Sequence, residues 1–246
     1  MATQSSKIEW TESTWNPVRG CTRVSEGCRF CYAERIAARF SGEGMAYEGL
    51  AENTKAGPRW TQEIQIVREL LNAPLKWKKP RRIFVNSMSD LFHEKIELSY
   101  IQEVFTVMKE AHWHQFQVLT KRAEQLLKFN TELPWASNIW MGVSVEDKRV
   151  TERIDALQKT DAHIKFLSLE PLLGPLPNLK LDGIDWVIVG GESGPGAREM
   201  KKKWVIDIRD QCADANVRFF FKQWGGKRKS KTGRELDGKT YDEMPI

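Results

Sequence analysis

The chain has 246 residues, of which 41% are hydrophobic and 29% charged, a composition compatible with one large folded domain or two small ones. No stretch approaches the ~20 consecutive apolar residues that a membrane span needs. The first residues also lack the basic head and apolar run of a secretory signal. We therefore expect no membrane partner and a cytoplasmic location, where thiols stay reduced.

Much of the net charge of +5 lies in three basic segments, at residues 76–82, 201–203 and 227–231. Basic patches attract phosphate backbones by counterion release, which makes nucleic acid a candidate partner. For +5 on 246 residues, a solvated surface is the simpler interpretation. Charge alone therefore names a candidate and no more.

From residue 82 onward, short apolar runs alternate with amphipathic patterns. The runs predict strands at 82–86, 116–120, 139–145, 164–169, 186–189 and 217–221. Helical spacing predicts helices at 99–111, 123–129, 147–158 and 203–215. A first strand before Cys21 brings the total to about seven. Apolar strands that alternate with helices favour a parallel sheet covered by helices.

The predicted fold class is α/β, a partial or open parallel (β/α) barrel of about six to seven strands, similar to a TIM barrel. A doubly wound open sheet is the alternative. A single domain is expected over 1–226, followed by a basic C-terminal tail at 227–246 with a hairpin at 236–239. Residues 42–75 contain four glycines and a helical pattern at 61–71, and we interpret them as an insertion over the barrel mouth.

Polar or charged residues follow each of the six later strands, at 86–90, 120–122, 144–147, 168–171, 190–193 and 222–224. In a parallel barrel these carboxyl ends converge on one mouth, where the active site lies. Turns and helix caps also favour Ser, Asp and Gly, so any single one of these polar strand ends could be explained without a functional site. Six polar strand ends in succession indicate a functional site.

Three of the four cysteines, Cys21, Cys28 and Cys31, fall within eleven residues, whereas Cys212 is far away. Three close thiolates can converge on one soft metal centre. A structural zinc site takes four protein ligands, and neither Cys212 nor His93 completes a compact local set. A [4Fe–4S] cluster on three cysteines leaves one iron open to a bound ligand.

The segment Gly20-Cys21 followed by Gly27-Cys28-Arg29-Phe30-Cys31-Tyr32-Ala33 resembles the cluster loop of radical S-adenosylmethionine enzymes, with Phe30 as the aromatic residue before the last cysteine. The sequence of this segment is especially similar to that of the branch that contains spore photoproduct lyase. In that superfamily the first two cysteines are separated by three residues, whereas Cys21 and Cys28 are separated by six. We interpret residues 22–26 as a loop insertion that still permits a three-thiolate site.

The resemblance implies two cofactors, a [4Fe–4S] cluster held by Cys21, Cys28 and Cys31, and S-adenosylmethionine chelated by the open iron. It implies reductive cleavage to methionine and a 5′-deoxyadenosyl radical that abstracts hydrogen from a substrate. It also implies an electron donor similar to flavodoxin or ferredoxin. A nucleobase, nucleotide or nucleic acid is the favoured substrate, and a partner protein is the alternative.

Further cofactor contacts are expected at the strand ends. Asn86 to Asp90 stand where the superfamily carries an acidic Gly-Gly-Glu motif, so Ser87 and Asp90 are candidates for the methionine moiety. Glycines at a strand end allow close approach to a flat adenine or ribose, or form a tight turn. The complete set of candidate cofactor contacts is Phe30, Ser87, Asp90, Ser144, Glu146, Ser168, Glu170, Gly190 and Gly191.

From Trp10 to about Gly226, including the segments NSMSDLFHE, LSLEPLLGP and GGESGPGAR, the chain also resembles a phage-associated family of uncharacterised proteins with a three-cysteine motif. That likeness implies no particular reaction. Two other interpretations stay open, a zinc-stabilised nucleic-acid-binding protein without catalysis and an iron–sulfur electron carrier or sensor.

Overall fold

A computed structural model describes residues 2–3, 6 and 8–246 of the chain. The described strands are β1 (Ala2–Thr3), β2 (Ser13–Trp15), β3 (Val18–Arg19), β4 (Ala51–Thr54), β5 (Gly57–Trp60), β6 (Gln65–Ile66), β7 (Arg82–Val85), β8 (Gln115–Thr120), β9 (Ile139–Ser144), β10 (Ile164–Leu169), β11 (Trp186–Gly190) and β12 (Arg218–Gln223). The described α-helices are α1 (Tyr32–Arg39), α2 (Leu98–Glu110), α3 (Ala123–Phe129), α4 (Glu152–Gln158), α5 (Lys202–Asp214) and α6 (Lys229–Thr232).

Seven parallel strands form a curled half-barrel in the order β2-β7-β8-β9-β10-β11-β12, and β1 pairs antiparallel with β2 at one edge. Apart from the loops between β2 and β7, each strand follows its neighbour along the chain. The prediction of a partial parallel barrel is confirmed. Within the described part of the chain, no helix is both long and apolar enough to cross a membrane.

The helices cover the convex face of the half-barrel. Residues of α2, α3, α4 and α5 share one large core with outward-facing strand residues such as Ile83, Val118 and Val187. The concave face has a separate core, and no described helix contributes to it. A doubly wound sheet would carry helices on both faces, so that alternative is wrong for this chain.

An aromatic floor fills the lower part of the concave face. Its members are Trp10, Phe84, Trp140, Phe166, Trp186 and Phe220. Side chains alternate between the two faces of a strand, so the next inward positions toward the carboxyl ends lie two and four residues further on. Those positions hold the polar residues Asn86, Ser144, Ser168, Glu170 and Lys222. A closed apolar floor and a polar mouth follow from this alternation.

Within the segment 42–75, residues 61–71 do not form the predicted helix. The chain there forms the hairpin β4–β5, a short strand β6 that pairs with β3, and a 3₁₀ turn at Arg68–Leu70. Gln62 has a φ of 72°, which lies outside helical geometry, and the Val67 amide donates to the Pro17 carbonyl at 2.8 Å. Pairing with the β3 segment therefore overrides the local helical spacing.

Two other boundaries depend on turns. The predicted helix at 147–158 is divided into a 3₁₀ turn at Lys148–Val150 and α4. The predicted hairpin at 236–239 is confirmed, since the Leu236 amide donates to the Lys239 carbonyl at 2.8 Å. Asp237 and Gly238 both have positive φ, as the tight hairpin turn with two left-handed residues requires.

Gly142 gives a test of the floor. A Cβ at this position would overlap the ring of Phe166, whereas a Cβ on Gly42 would have Met45 Sδ at 3.5 Å as its nearest neighbour. We expect Gly142→Ala to lower the free energy of unfolding by about 1–3 kcal/mol through overpacking. Gly42→Ala is the control and should change it by less than about 0.5 kcal/mol. Urea unfolding measures both, and equal values would contradict a closed floor.

Candidate functional site

A cavity of about 250 Å³ opens at the carboxyl ends of the parallel strands, above the aromatic floor. Cys21, Cys28 and Cys31 lie on one wall, brought there by the cysteine loop (residues 21–31) between β3 and α1. The opposite walls come from the ends of β9, β10, β11 and β12. The cavity therefore lies where a parallel barrel places its active site.

The three thiols are reduced and close enough to interact electrostatically. None of the three takes part in a disulfide. Burial raises the pKa of the Cys21 thiol to about 12, with the Asp90 carboxylate adding to the effect, and burial also raises the pKa of Cys31. These two thiols are thus protonated when no metal is bound, and a metal would have to displace their protons.

The donor set suits a cluster. Among the described residues, no group of three or more Cys, His, Asp or Glu side chains converges to hold a single metal ion. In an iron–sulfur cluster, different iron atoms take different thiolates, so the sulfur atoms need only surround a shared space. Three soft thiol ligands lining one cavity meet that condition.

Arg122 holds the cysteine loop at Thr22. Its guanidinium donates to Thr22 Oγ1 at 2.7 Å and to Asp90 Oδ2 at 3.1 Å. His93 Nδ1 accepts from the Lys95 amide, so its Nε2 carries the proton and donates to Thr22 Oγ1 at 3.0 Å. Burial and the nearby Arg122 lower the pKa of His93, which keeps the ring neutral.

Glu146 holds the same loop at Ser25 and Gly27. Its Oε1 accepts from Ser25 Oγ at 2.7 Å and pairs with Lys121 Nζ at 2.5 Å, and its Oε2 pairs with Arg153 at 3.1 Å. A Cβ on Gly27 would overlap the Glu146 side chain, so glycine is required for this close approach. The carboxylate is 1% exposed and does not line the cavity.

Arg198 holds the loop from the β11 side. It pairs with the buried Glu192 at 2.6 Å and donates to the Glu26 carbonyl at 2.9 Å. Its guanidinium carbon also lies 5.5 Å from the centre of the Phe30 ring, a cation–π distance. Together with the Arg23–Glu34 ion pair, these contacts show that four of the five residues 22–26 anchor the loop.

Most of the predicted cofactor contacts border the cavity. Those that line it are Phe30, Ser87, Asp90, Ser144, Ser168, Glu170 and Gly191. The Asp90 carboxylate accepts four hydrogen bonds, from Thr120 Oγ1 and from the Phe92 amide on one oxygen, and from the Lys121 amide and Arg122 on the other. The hydrogen bonds of this carboxylate therefore hold the loop and the strand ends together.

Glu146 and Gly190 do not line the cavity. At Gly190, a Cβ would overlap the Glu170 carboxylate, and at Gly191 it would overlap the Trp224 carbonyl. The space that the two glycines leave is therefore occupied by this chain's own groups. Glu170 is kept in place by Lys222, whose Nζ lies 3.0 Å from Oε1.

Two amides at the cavity were missed by the sequence argument. Asn86 and Gln223 are 2% and 6% exposed, and both line the cavity. Among the described residues, Asn86 Nδ2 and Gln223 Oε1 have no hydrogen-bond partner. An unpaired buried polar atom costs about 1–3 kcal/mol, so these atoms are candidates for contact with a bound ligand. Their position at strand ends was the available signal.

The chain belongs to the family described as Protein of unknown function (DUF5131), whose family model matches residues 5–245. No curated protein matches the chain.

Among solved structures, the chain is similar to a mutant of spore photoproduct lyase, with 13% identity and a TM-score of 0.45 over 77% of this chain. A second mutant of that protein, with bound AdoMet and dinucleoside spore photoproduct, matches with 10% identity and a TM-score of 0.44 over 76% of this chain. The chain spans 58% of the length of each of these structures.

Glu146→Gln tests the anchoring of the cysteine loop. The neutral amide leaves Lys121 and Arg153 without their buried counter-charge, and breaking such a pair costs about 3–5 kcal/mol. Lys121 is 20% exposed, so we expect a loss of about 2–3 kcal/mol in the free energy of unfolding. Amide hydrogen exchange should also become faster in residues 21–31.

Glu132→Gln, at an exposed glutamate outside the cavity, is the matched control and should leave both quantities unchanged. Unchanged exchange in the loop of the Glu146→Gln protein would show that Glu146 does not hold it.

Proposed function

We propose that the chain is a radical S-adenosylmethionine enzyme, in which Cys21, Cys28 and Cys31 hold a [4Fe–4S] cluster and the rest of the cavity holds S-adenosylmethionine. The observation that carries this proposal is that all three cysteines are unbridged and line one cavity at the mouth of a parallel half-barrel. The resemblance of their sequence context to the cluster loop of that superfamily supports it.

When bound and reduced, such a cluster supplies one electron to the sulfonium of S-adenosylmethionine, which then gives methionine and a 5′-deoxyadenosyl radical. The residues of this chain position the ligands and exclude water. Arg122, Glu146 and Arg198 fix the cysteine loop before any metal arrives. The aromatic floor closes the cavity from below. Both features reduce the reorganisation that binding requires.

The strand ends offer the groups that S-adenosylmethionine needs. Its ammonium and ribose hydroxyls are donors, and its carboxylate is an acceptor. We assign these donors to the Glu170 carboxylate, which directly follows β10, and to the hydroxyls of Ser144 and Ser168, which are buried in β9 and β10 at the cavity. Asn86 Nδ2, unpaired beside the cysteine wall, is the matching donor for the carboxylate.

Cys28→Ala is the direct test. We expect anaerobic reconstitution of the unsubstituted chain to give about four iron and four sulfide per chain, with an EPR signal that changes when S-adenosylmethionine is added to the dithionite-reduced protein. Cys28→Ala should lose the cluster and the signal, because its thiol is one of only three at the cavity. Formation of 5′-deoxyadenosine should be lost with them.

Cys212→Ala is the control for that experiment. Cys212 is fully buried in α5 against the convex core, so its removal should affect stability alone, by about 1 kcal/mol. Stoichiometric zinc in place of iron would contradict the proposal and favour the zinc-stabilised alternative. A cluster whose EPR signal ignores S-adenosylmethionine would indicate an electron carrier or sensor.

Glu170→Gln tests the ligand side of the cavity. Hydrogen bonds to a charged group contribute about 1.5–3 kcal/mol, so the dissociation constant of S-adenosylmethionine should rise about tenfold or more. Isothermal titration of the reconstituted proteins measures it, while the EPR signal without S-adenosylmethionine should stay unchanged. Glu199→Gln, at an exposed glutamate outside the cavity, is the control. Equal constants in the two variants would exclude Glu170 as a contact.

A further inference from the structure

Positive charge is concentrated on one side of the cavity mouth. Residues 192–203, which follow β11, and residues 222–239, which begin with the last two residues of β12, form what we call the basic rim. They contain eleven Lys and Arg against four Asp and Glu, a net charge of +7, although the whole chain carries only +5. The remainder of the protein is therefore slightly acidic. A field of this asymmetry attracts a polyanion to the mouth.

The two segments of the basic rim are joined by their backbones. The Gly194 amide donates to the Gly226 carbonyl at 3.0 Å, and the Gly226 amide donates to the Glu192 carbonyl at 2.7 Å. The side chains of Lys201, Lys203, Lys227, Arg228 and Lys231 are exposed. The rim is thus a continuous, solvent-facing surface beside the open edge of the half-barrel.

Gln223 connects this surface to the cavity. It is the last residue of β12 and lies within the basic rim. Its Nε2 donates to Ser193 Oγ at 2.8 Å, which fixes the amide, and among the described residues its buried Oε1 has no hydrogen-bond partner. A buried neutral acceptor suits the N–H groups on the edge of a nucleobase.

Resting on the proposed function of the cavity, we propose that the substrate is a single-stranded nucleic acid. Its phosphates lie on the basic rim, and the target base enters the cavity, where its N–H edge meets Gln223 Oε1. Enzymes that act on a base remove it from the stack, which a single strand permits at least cost.

Fluorescence anisotropy with labelled single-stranded oligonucleotides of about 12 nucleotides tests the rim on the reconstituted protein. Affinity should fall steeply between about 50 and 200 mM salt. The triple variant Lys227→Gln, Arg228→Gln, Lys231→Gln should bind about tenfold or more weakly at low salt. It should also reduce the slope of log K against log salt by about 2, since each single-strand phosphate contact contributes about 0.7.

The matched control is Lys76→Gln, Lys78→Gln, Lys79→Gln. These exposed lysines precede β7 and lie at the amino end of the barrel, away from the mouth. The control removes the same charge and should change the affinity by less than about twofold. Equal losses in the two triple variants, or equally strong competition by polyglutamate, would overturn the proposal.

Gln223→Leu tests entry of the base. Discrimination among homopolymers of A, C and T should weaken, while the salt slope stays the same because the phosphate contacts remain. If Gln223→Leu instead weakens S-adenosylmethionine binding and leaves the homopolymer preference intact, the base does not meet Gln223. Oligonucleotide binding without any cluster or S-adenosylmethionine effect would reject the proposed function alone. Cleavage of S-adenosylmethionine without oligonucleotide binding would reject the nucleic-acid substrate alone.

Discussion

The alternation of side chains along seven parallel strands is the constraint on which the site depends. Because the inward-facing columns of β7, β9, β10 and β12 begin with an aromatic residue and end with a polar one, one register produces both the closed floor and the polar mouth. Phe166, Ser168 and Glu170 of the β10 column show this progression within five residues. A shift of one residue would send all three to the convex face, where the helices pack.

The second constraint is the length of the cysteine loop. A longer loop is more costly to order, because more residues lose conformational freedom. In this chain the loop's own residues supply the contacts that fix it, with Thr22 held by Arg122, Ser25 by Glu146 and Glu26 by Arg198. The three anchoring residues come from the ends of β8, β9 and β11, so the half-barrel itself positions the thiols.

The features that could be predicted from the sequence are those whose determinants lie close together in the chain. The strands of the half-barrel could be predicted because short apolar runs end in turn residues, and the shared position of Cys21, Cys28 and Cys31 follows from their spacing. The partners of Glu146 could not be predicted, because Ser25 is 121 positions away in the chain. The helix expected at 61–71 failed for a similar reason, since β6 pairs with the distant β3.

The two kinds of charge at the mouth have different partners. Arg122 and Lys121, which line the cavity with the cysteines, are paired with buried carboxylates and hold the loop. Lys227, Arg228 and Lys231 of the basic rim are instead exposed, whereas its Arg198 is paired with Glu192 beside the cysteine loop. Under the proposal above, a polyanion bound to the basic rim would approach from the side of β12, where Gln223 lines the cavity. The two proposed ligands would then share one cavity, one contacting the end of β12 and the other the cysteine loop.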